Sequence, residues 1–171
     1  MCTFPNVESG SAALDMKWGL RHASAMASPR FGSINVVVRD VVAASQFLEA
    51  LGVDLSETFP EWAGHHRGFE ADASAFDADL DSPAFATWWG GVPDDFAPGV
   101  VLNLRVDTAD DVDELHARAL DLGAAELKAP WDAFWGSRYA VVLGPGPLCV
   151  GFMNEPDDSR RTMPPAIDDF A

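Results

Sequence analysis

Ile34-Asn35-Val36-Val37-Val38-Arg39-Asp40 and Leu102-Asn103-Leu104-Arg105-Val106-Asp107-Thr108 repeat one pattern: an alternating apolar strand that runs into a helix start. Each is followed by an amphipathic stretch that closes on Leu-Gly, at Leu51-Gly52 and at Leu122-Gly123. Glycine just past the last apolar turn ends a helix, because it enters the left-handed region without a Cβ penalty. An internal duplication of this kind constrains the architecture before any single residue is weighed.

The second helix is the better marked. Thr108 heads Thr-Ala-Asp-Asp, a capping-box-like start, with Asp110, Asp111, Asp113 and Glu114 at the positive end of the helix dipole. Val112, Leu115, Ala119 and Leu122 form its apolar stripe. The first helix has Asp40 as cap and Val41, Ala44, Phe47, Leu48 and Leu51 as stripe. Further strands are expected at 53–58, 65–71 and 84–89 in the first half, and at 125–129, 137–143 and 148–153 in the second. Each half therefore reads β-α-β-β-β.

Alternation assigns the strand faces. Ile34, Val36 and Val38 share one face with the character of a helix seat, as do Leu102, Leu104 and Val106. The opposite face carries Asn35, Asn103 and Arg105. Unpaired buried amides cost about 1–3 kcal/mol each, so this face is expected to line a wet or ligand-filled concavity, unless its polar groups satisfy one another or face solvent.

The chain has 171 residues, room for one domain with a substantial core. Its formal net charge is −16, and Lys17 and Lys128 are its only lysines. Such a field repels phosphate backbones and anionic lipid, so no nucleic-acid or membrane partner is expected. Cys2 and Cys149 lack zinc or disulfide spacing, and no run approaches the ~18 apolar residues of a membrane helix. No signal-peptide core is seen in 1–30, and a reducing cytoplasm is the expected location. Residues 1–30 read as a weakly ordered arm; a start at Met26, or a short helix around Leu14–Leu20 docking Trp18, are the alternatives. The domain is expected over 31–155, in modules 31–92 and 98–155, with a Pro- and Asp-rich tail over 156–171.

With this pattern, and with Pro130-Trp131-Asp132-Ala133-Phe134-Trp135-Gly136-Ser137-Arg138-Tyr139-Ala140, the chain resembles the vicinal oxygen chelate superfamily of glyoxalases, bleomycin resistance proteins and extradiol dioxygenases. That segment is most similar to the antibiotic-sequestering, mitomycin-binding-like branch. The resemblance implies an α+β fold, two βαβββ modules curving around an open cavity, and a homodimer. It also implies metal ligands on the first and last strand of each module. Those positions fall on Ser33 or Asn35, on Thr87 or Trp89, on Val101 or Asn103, and on Gly151 after Gly144-Pro145-Gly146-Pro147. None supplies an imidazole or carboxylate, so the metal site is read as absent and no cofactor is expected. Whether the protein is an enzyme stays open, with those positions counting against it.

Other chemistry is sparse. His65 and His66 are adjacent and so point to opposite strand faces; His66 and Glu70 share a face, which keeps a metal or acid–base site in play beside a loop role. His116 is placed near solvent as a structural residue. No nucleophile or phosphate-binding motif occurs. Asp72, Asp77, Asp79 and Asp81 read as a solvated loop, since a calcium loop needs a glycine the string lacks. The aromatic set says more. Several tryptophans on a small domain suggest stacking planes for a planar ligand, although each could instead fill the core or a dimer seam. The resemblance to the mitomycin-binding-like branch implies Trp89 and Trp135 as ligand contacts, then Trp131, Arg138 and Tyr139; Trp62 is expected beside them, with Asn35, Asn103 and Arg105 fixing orientation. The expected function is metal-free sequestration of a small planar or aromatic molecule; a divalent-metal lyase, isomerase or dioxygenase and a protein-interaction module are the alternatives.

Overall fold

A computed structural model describes residues 28–56, 58–69 and 77–169; the proposed arm up to residue 27 and the proposed ligand Glu70 lie outside them. The first half runs β1 (Arg30–Val37), α1 (Val41–Ala50), β2 (His66–Gly68), β3 (Asp77–Asp81) and α2 (Pro83–Gly90). The second runs β4 (Gly99–Val106), α3 (Ala109–Asp121), β5 (Ala125–Asp132), β6 (Arg138–Gly144) and β7 (Leu148–Asn154). The strands form one curved, unclosed mixed sheet of order β2-β3-β1-β4-β7-β6-β5. β1 and β4 meet antiparallel at its centre, each flanked on its other side by a parallel partner, β3 or β7. The duplication is thus a duplication of topology, and the α+β architecture implied by the resemblance is the one observed.

The second module follows its sequence closely. Thr108 accepts from the Asp111 amide while Asp111 reaches back to the Thr108 N–H, a reciprocal cap that satisfies two orphan donors of α3. Val112, Leu115 and Ala119 pack on Leu104, Val106, Ala140, Val142 and Phe152, the helix-seat face expected of β4. His116 is buried rather than near solvent, and its Nε2 sits 3.1 Å from Glu126 Oε2.

The first module corrects two readings. Residues 84–89 are not a strand but the body of α2. Ser82 caps that helix by accepting from the Phe85 amide, Pro83 occupies the first turn, and Gly91 closes it at φ +62°. The strand lies upstream, in the acidic string: Asp77-Ala78-Asp79-Leu80-Asp81 pairs parallel to β1. Period-2 alternation puts Ala78 and Leu80 on one buried face and the three aspartates on the other. Of the strand expected over 53–58, a single bridge from Leu55 to Phe69 remains.

α2 packs on the concave face. Phe85, Ala86 and Trp89 join Val37, Val101, Tyr139 and Val141 in one core. They cover one end of that face and leave the Ser33–Arg105 end open. No helix among the described residues is long and apolar enough to cross a membrane.

Candidate functional site

The open end of the concave face is a cavity of about 650 Å³. One wall is aromatic: Trp62, Phe85, Trp89, Phe134, Trp135 and Tyr139. Their rings meet edge to face, Trp62 on Phe85 at 5.1 Å, Phe134 on Trp135 at 5.1 Å and Trp135 on Tyr139 at 5.5 Å between centroids. The facing wall is polar, with Ser33, Asn35, His66, Asp77, Asp79, Asp81 and Arg105. Thr58, Phe59 and Met153, with Pro156 and Pro164 of the C-terminal segment, complete the lining. That segment is tied down: the Thr162 amide donates to Phe134 O and the Asp157 amide to Gly136 O.

A continuous hydrogen-bond chain lies under the polar wall. Tyr139 donates to Asn103 Oδ1 at 2.8 Å. Asn103 donates from Nδ2 to Ser33 Oγ at 3.1 Å and to Asn35 Oδ1 at 2.6 Å. Asn35 donates from Nδ2 to Asp81 Oδ2 at 2.7 Å, and Asp81 Oδ1 pairs with His66 Nδ1 at 2.7 Å. Asn103 and Asp81 have no exposed surface and Tyr139 has 1 %. Each buried amide is spent on a neighbour, so the polar groups of this face both satisfy one another and line a concavity.

The electrostatics follow from that packing. Burial works to lower the His66 pKa, but the hydrogen bond and charge of Asp81, with the charge of Asp79, outweigh it and leave it raised. Asp79 is pushed from 3.8 up to about 7, first by burial and then by the charge of Asp81. Burial, with the nearby charges of Asp81, Cys149 and Asp79, holds the Tyr139 hydroxyl well above its ordinary value.

A carboxyl whose folded pKa exceeds its unfolded one favours the protonated fold. Its ionisation cost is complete above about pH 7 and is relieved as pH falls toward 3.8. Asp79→Asn, neutral throughout, is therefore expected to stabilise the protein by about 1–2 kcal/mol at pH 8 and by well under half of that at pH 5, after allowing for screening by cavity water. Urea denaturation at the two pH values checks this; an equal effect at both would mean that Asp79 does not titrate in this range.

Of the residues singled out in the sequence, Trp62, Trp89, Trp135, Tyr139, Asn35 and Arg105 line the cavity, and Asn103 lies directly beneath it. Trp131 does not line it. It packs edge-on against Trp88 and Trp135, with Lys128 Nζ 5.2 Å from its ring centre. Arg138 is on the helix side of the sheet, bound to Asp113 of α3 by two hydrogen bonds. His65 turns from the cavity to Ser82 Oγ at 3.2 Å. Residues missed in the sequence include Phe85, which fell in an expected strand, and Asp77, Asp79 and Asp81, whose signal was the alternation of Asp with Ala and Leu.

The superfamily's metal positions can now be tested. The last strand of the first module is β3, so its ligand position falls on Asp79 and Asp81 and not on Thr87 or Trp89. That corrects the expectation that no carboxylate stands at these places. The other positions do not follow suit. Asn103 is committed to Tyr139, Ser33 and Asn35, and the space over Gly151 is already taken: a Cβ there would collide with Asn103 Oδ1 and the Tyr139 hydroxyl. Among the described residues no three His, Cys, Asp or Glu side chains are grouped to hold a metal ion. The described residues at these positions do not fit a resident divalent cation.

A family model, Glyoxalase/Bleomycin resistance protein/Dioxygenase superfamily, matches residues 30–157. No curated protein matches the chain. Among solved structures, a variant of homoprotocatechuate 2,3-dioxygenase from B. fuscum is 19% identical, with TM-score 0.53 over 78% of this chain and 35% of that one. The Mn(II)-bound glyoxalase from Novosphingobium aromaticivorans is 17% identical, with TM-score 0.50 over 74% of this chain and 40% of its own. A glyoxalase/bleomycin resistance protein/dioxygenase from Nocardioides is 18% identical and is covered over 93% of its length by 84% of this chain, with TM-score 0.34. At these identities the first two likenesses are likenesses of fold. With all seven strands of the sheet and all three helices inside the matched span, the chain belongs to the glyoxalase/bleomycin resistance protein/dioxygenase superfamily.

Proposed function

We propose that this protein binds a small planar or aromatic molecule in the cavity by stacking, as a metal-free receptor of the sequestering type. The observation that carries this reading is the convergence of Trp62, Trp89, Trp135, Phe85, Phe134 and Tyr139 on one cavity. A mostly apolar concavity with a few placed polar groups is the usual anatomy of a small-ligand site. Each offset or edge-on ring contact adds about 0.5–1.5 kcal/mol beyond burial.

Titration with a panel of planar antibiotics and dyes is expected to quench tryptophan fluorescence, and Trp135→Ala is expected to weaken binding about 2- to 10-fold. Absence of quenching by every member, in folded protein, would refute the reading. Among the described residues, Asp79 and Asp81 beside His66 give the metal-enzyme alternative a foothold. Elemental analysis of protein purified without tag or chelator decides that point: a stoichiometric transition metal would put catalysis first.

A further inference from the structure

We infer that the molecule taken by this cavity is a planar aromatic carrying a protonated amine or amidine, and that the Asp79 carboxylate receives that cation. The ligand class presupposes the stacking site proposed above and adds a charge to it.

The charged groups of the polar wall can be accounted for one by one. Asp77 Oδ2 lies 3.7 Å from Arg105, whose guanidinium also meets Glu155 at 3.2 Å. Asp81 is held by His66 Nδ1 and Asn35 Nδ2, both at 2.7 Å. Asp79 stands between these two on the same face of β3, and its own contacts are long: Asn35 Nδ2 at 3.4 Å and His66 Nε2 at 3.9 Å. Both of those residues are already engaged by Asp81 at short range. Among the described residues, then, Asp77 and Asp81 have cations of their own, and Asp79 has no close one. It is 27% exposed, and what exposure it has opens on the aromatic-walled cavity.

A carboxyl in that position discriminates among ligands that would stack equally well. A neutral ring gains the stacking alone. An anionic ring meets Asp77, Asp79 and Asp81, and the cations on that wall, Arg105 and His66, are already engaged by Asp77, Glu155 and Asp81. A ring bearing an N⁺–H donor supplies both the missing counterion and a hydrogen bond, and such charge-assisted bonds are the strong ones. Because Asp79 stays largely protonated below about pH 7, a cation must displace that proton. Affinity for it therefore rises as pH increases through 7. His66, which faces Asp79 from β2 and whose pKa is raised by Asp81, loses positive charge as pH rises and adds to the same trend, so the pH dependence is read against variants of both residues.

The test uses the full chain and three tricyclic probes of one shape: 9-aminoacridine as cation, acridine as neutral ring and acridine-9-carboxylate as anion. Tryptophan quenching at pH 8 is expected to give 9-aminoacridine at least about tenfold tighter than acridine, with the carboxylate weakest. The 9-aminoacridine affinity is expected to fall several-fold from pH 8 to pH 6. Asp79→Asn is expected to bring 9-aminoacridine to the level of acridine and to flatten that pH dependence; His66→Gln is expected to keep the cation preference. Equal binding of the three probes would overturn the cation assignment and leave the stacking site standing. Binding of none would remove both. A cation preference that survives in Asp79→Asn would assign it to the general acidity of the chain and overturn the role of Asp79. Circular dichroism of each variant excludes loss of fold as the cause.

Discussion

Replacing Gly151 with alanine is expected to destabilise the protein by about 2–4 kcal/mol, a large cost for one methyl group. Gly151 lies on β7, opposite Asn103 on one side and Val141 on the other. Its missing side chain is the space in which Tyr139 donates to Asn103, and an added Cβ would fall on both polar atoms. Neither neighbour can step aside cheaply. Asn103 is pinned by bonds to Ser33 and Asn35, and the Tyr139 ring is held between Trp89 and Trp135. Overpacking costs about 1–3 kcal/mol, and breaking the Tyr139–Asn103 bond strands two buried groups at about 1–3 kcal/mol more. Gly144→Ala is the control, because the nearest non-neighbouring atom to its added Cβ is Leu148 O at 3.5 Å, ordinary contact. The clash is also directional: Tyr139→Phe removes one colliding atom, so the double variant should cost less than the sum of the singles. Additive costs in urea denaturation, or a Gly151→Ala no worse than Gly144→Ala, would show that the hydrogen-bonded pair does not fill that space. The same geometry leaves no room for a carboxylate at this place, because the Tyr139–Asn103 pair occupies it.

The second module was legible because its local and tertiary signals agree. Thr108 caps α3, the stripe of Val112, Leu115 and Ala119 has helical spacing, and the strand alternation of β4 separates Leu104 from Asn103 and Arg105. The first module was misread where they disagree. Asp is a poor strand former, so Asp77–Asp81 looked like a solvated loop; parallel pairing with β1 and burial of Ala78 and Leu80 override that propensity. Ala-Phe-Ala-Thr-Trp-Trp is apolar without alternation, and its helical state is announced only by Ser82-Pro83 ahead and Gly91 behind. That one displaced strand carried the site with it, since it moved the first module's last-strand position from Thr87 or Trp89 to Asp79 and Asp81. The aromatic wall was readable because tryptophans on a small domain have few places to go. Arg138 could not face the cavity together with Tyr139, because neighbours in a strand point to opposite sides. Trp131 was beyond sequence reasoning, as its burial against Trp88 and Trp135 depends on how the turn after β5 folds back.

Asp81→Ala is expected to cost about 2–4 kcal/mol, more than any other single change on the polar wall. Asp81 is the residue toward which the donors of the chain point: Asn35 Nδ2 from one side and His66 Nδ1 from the other, each at 2.7 Å. It has no exposed surface, so no water takes its place without reorganising the wall. Its loss leaves the Asn35 amide with only the 3.4 Å contact to Asp79, while partly exposed His66 recovers part of its hydration, which keeps the cost below that of a fully buried pair. Asp81→Asn retains an acceptor for one neighbour and should cost clearly less. The sign of the pH dependence follows from His66. Its folded pKa is raised by Asp81, so the stability this pair contributes is full below the unfolded value of about 6.5 and is lost as pH rises through the raised one. The penalty of Asp81→Ala should accordingly be larger at pH 6 than at pH 9, and a proton NMR titration should find the His66 pKa lower in the variant. An unchanged His66 titration would separate the two residues and break the chain at its most buried link.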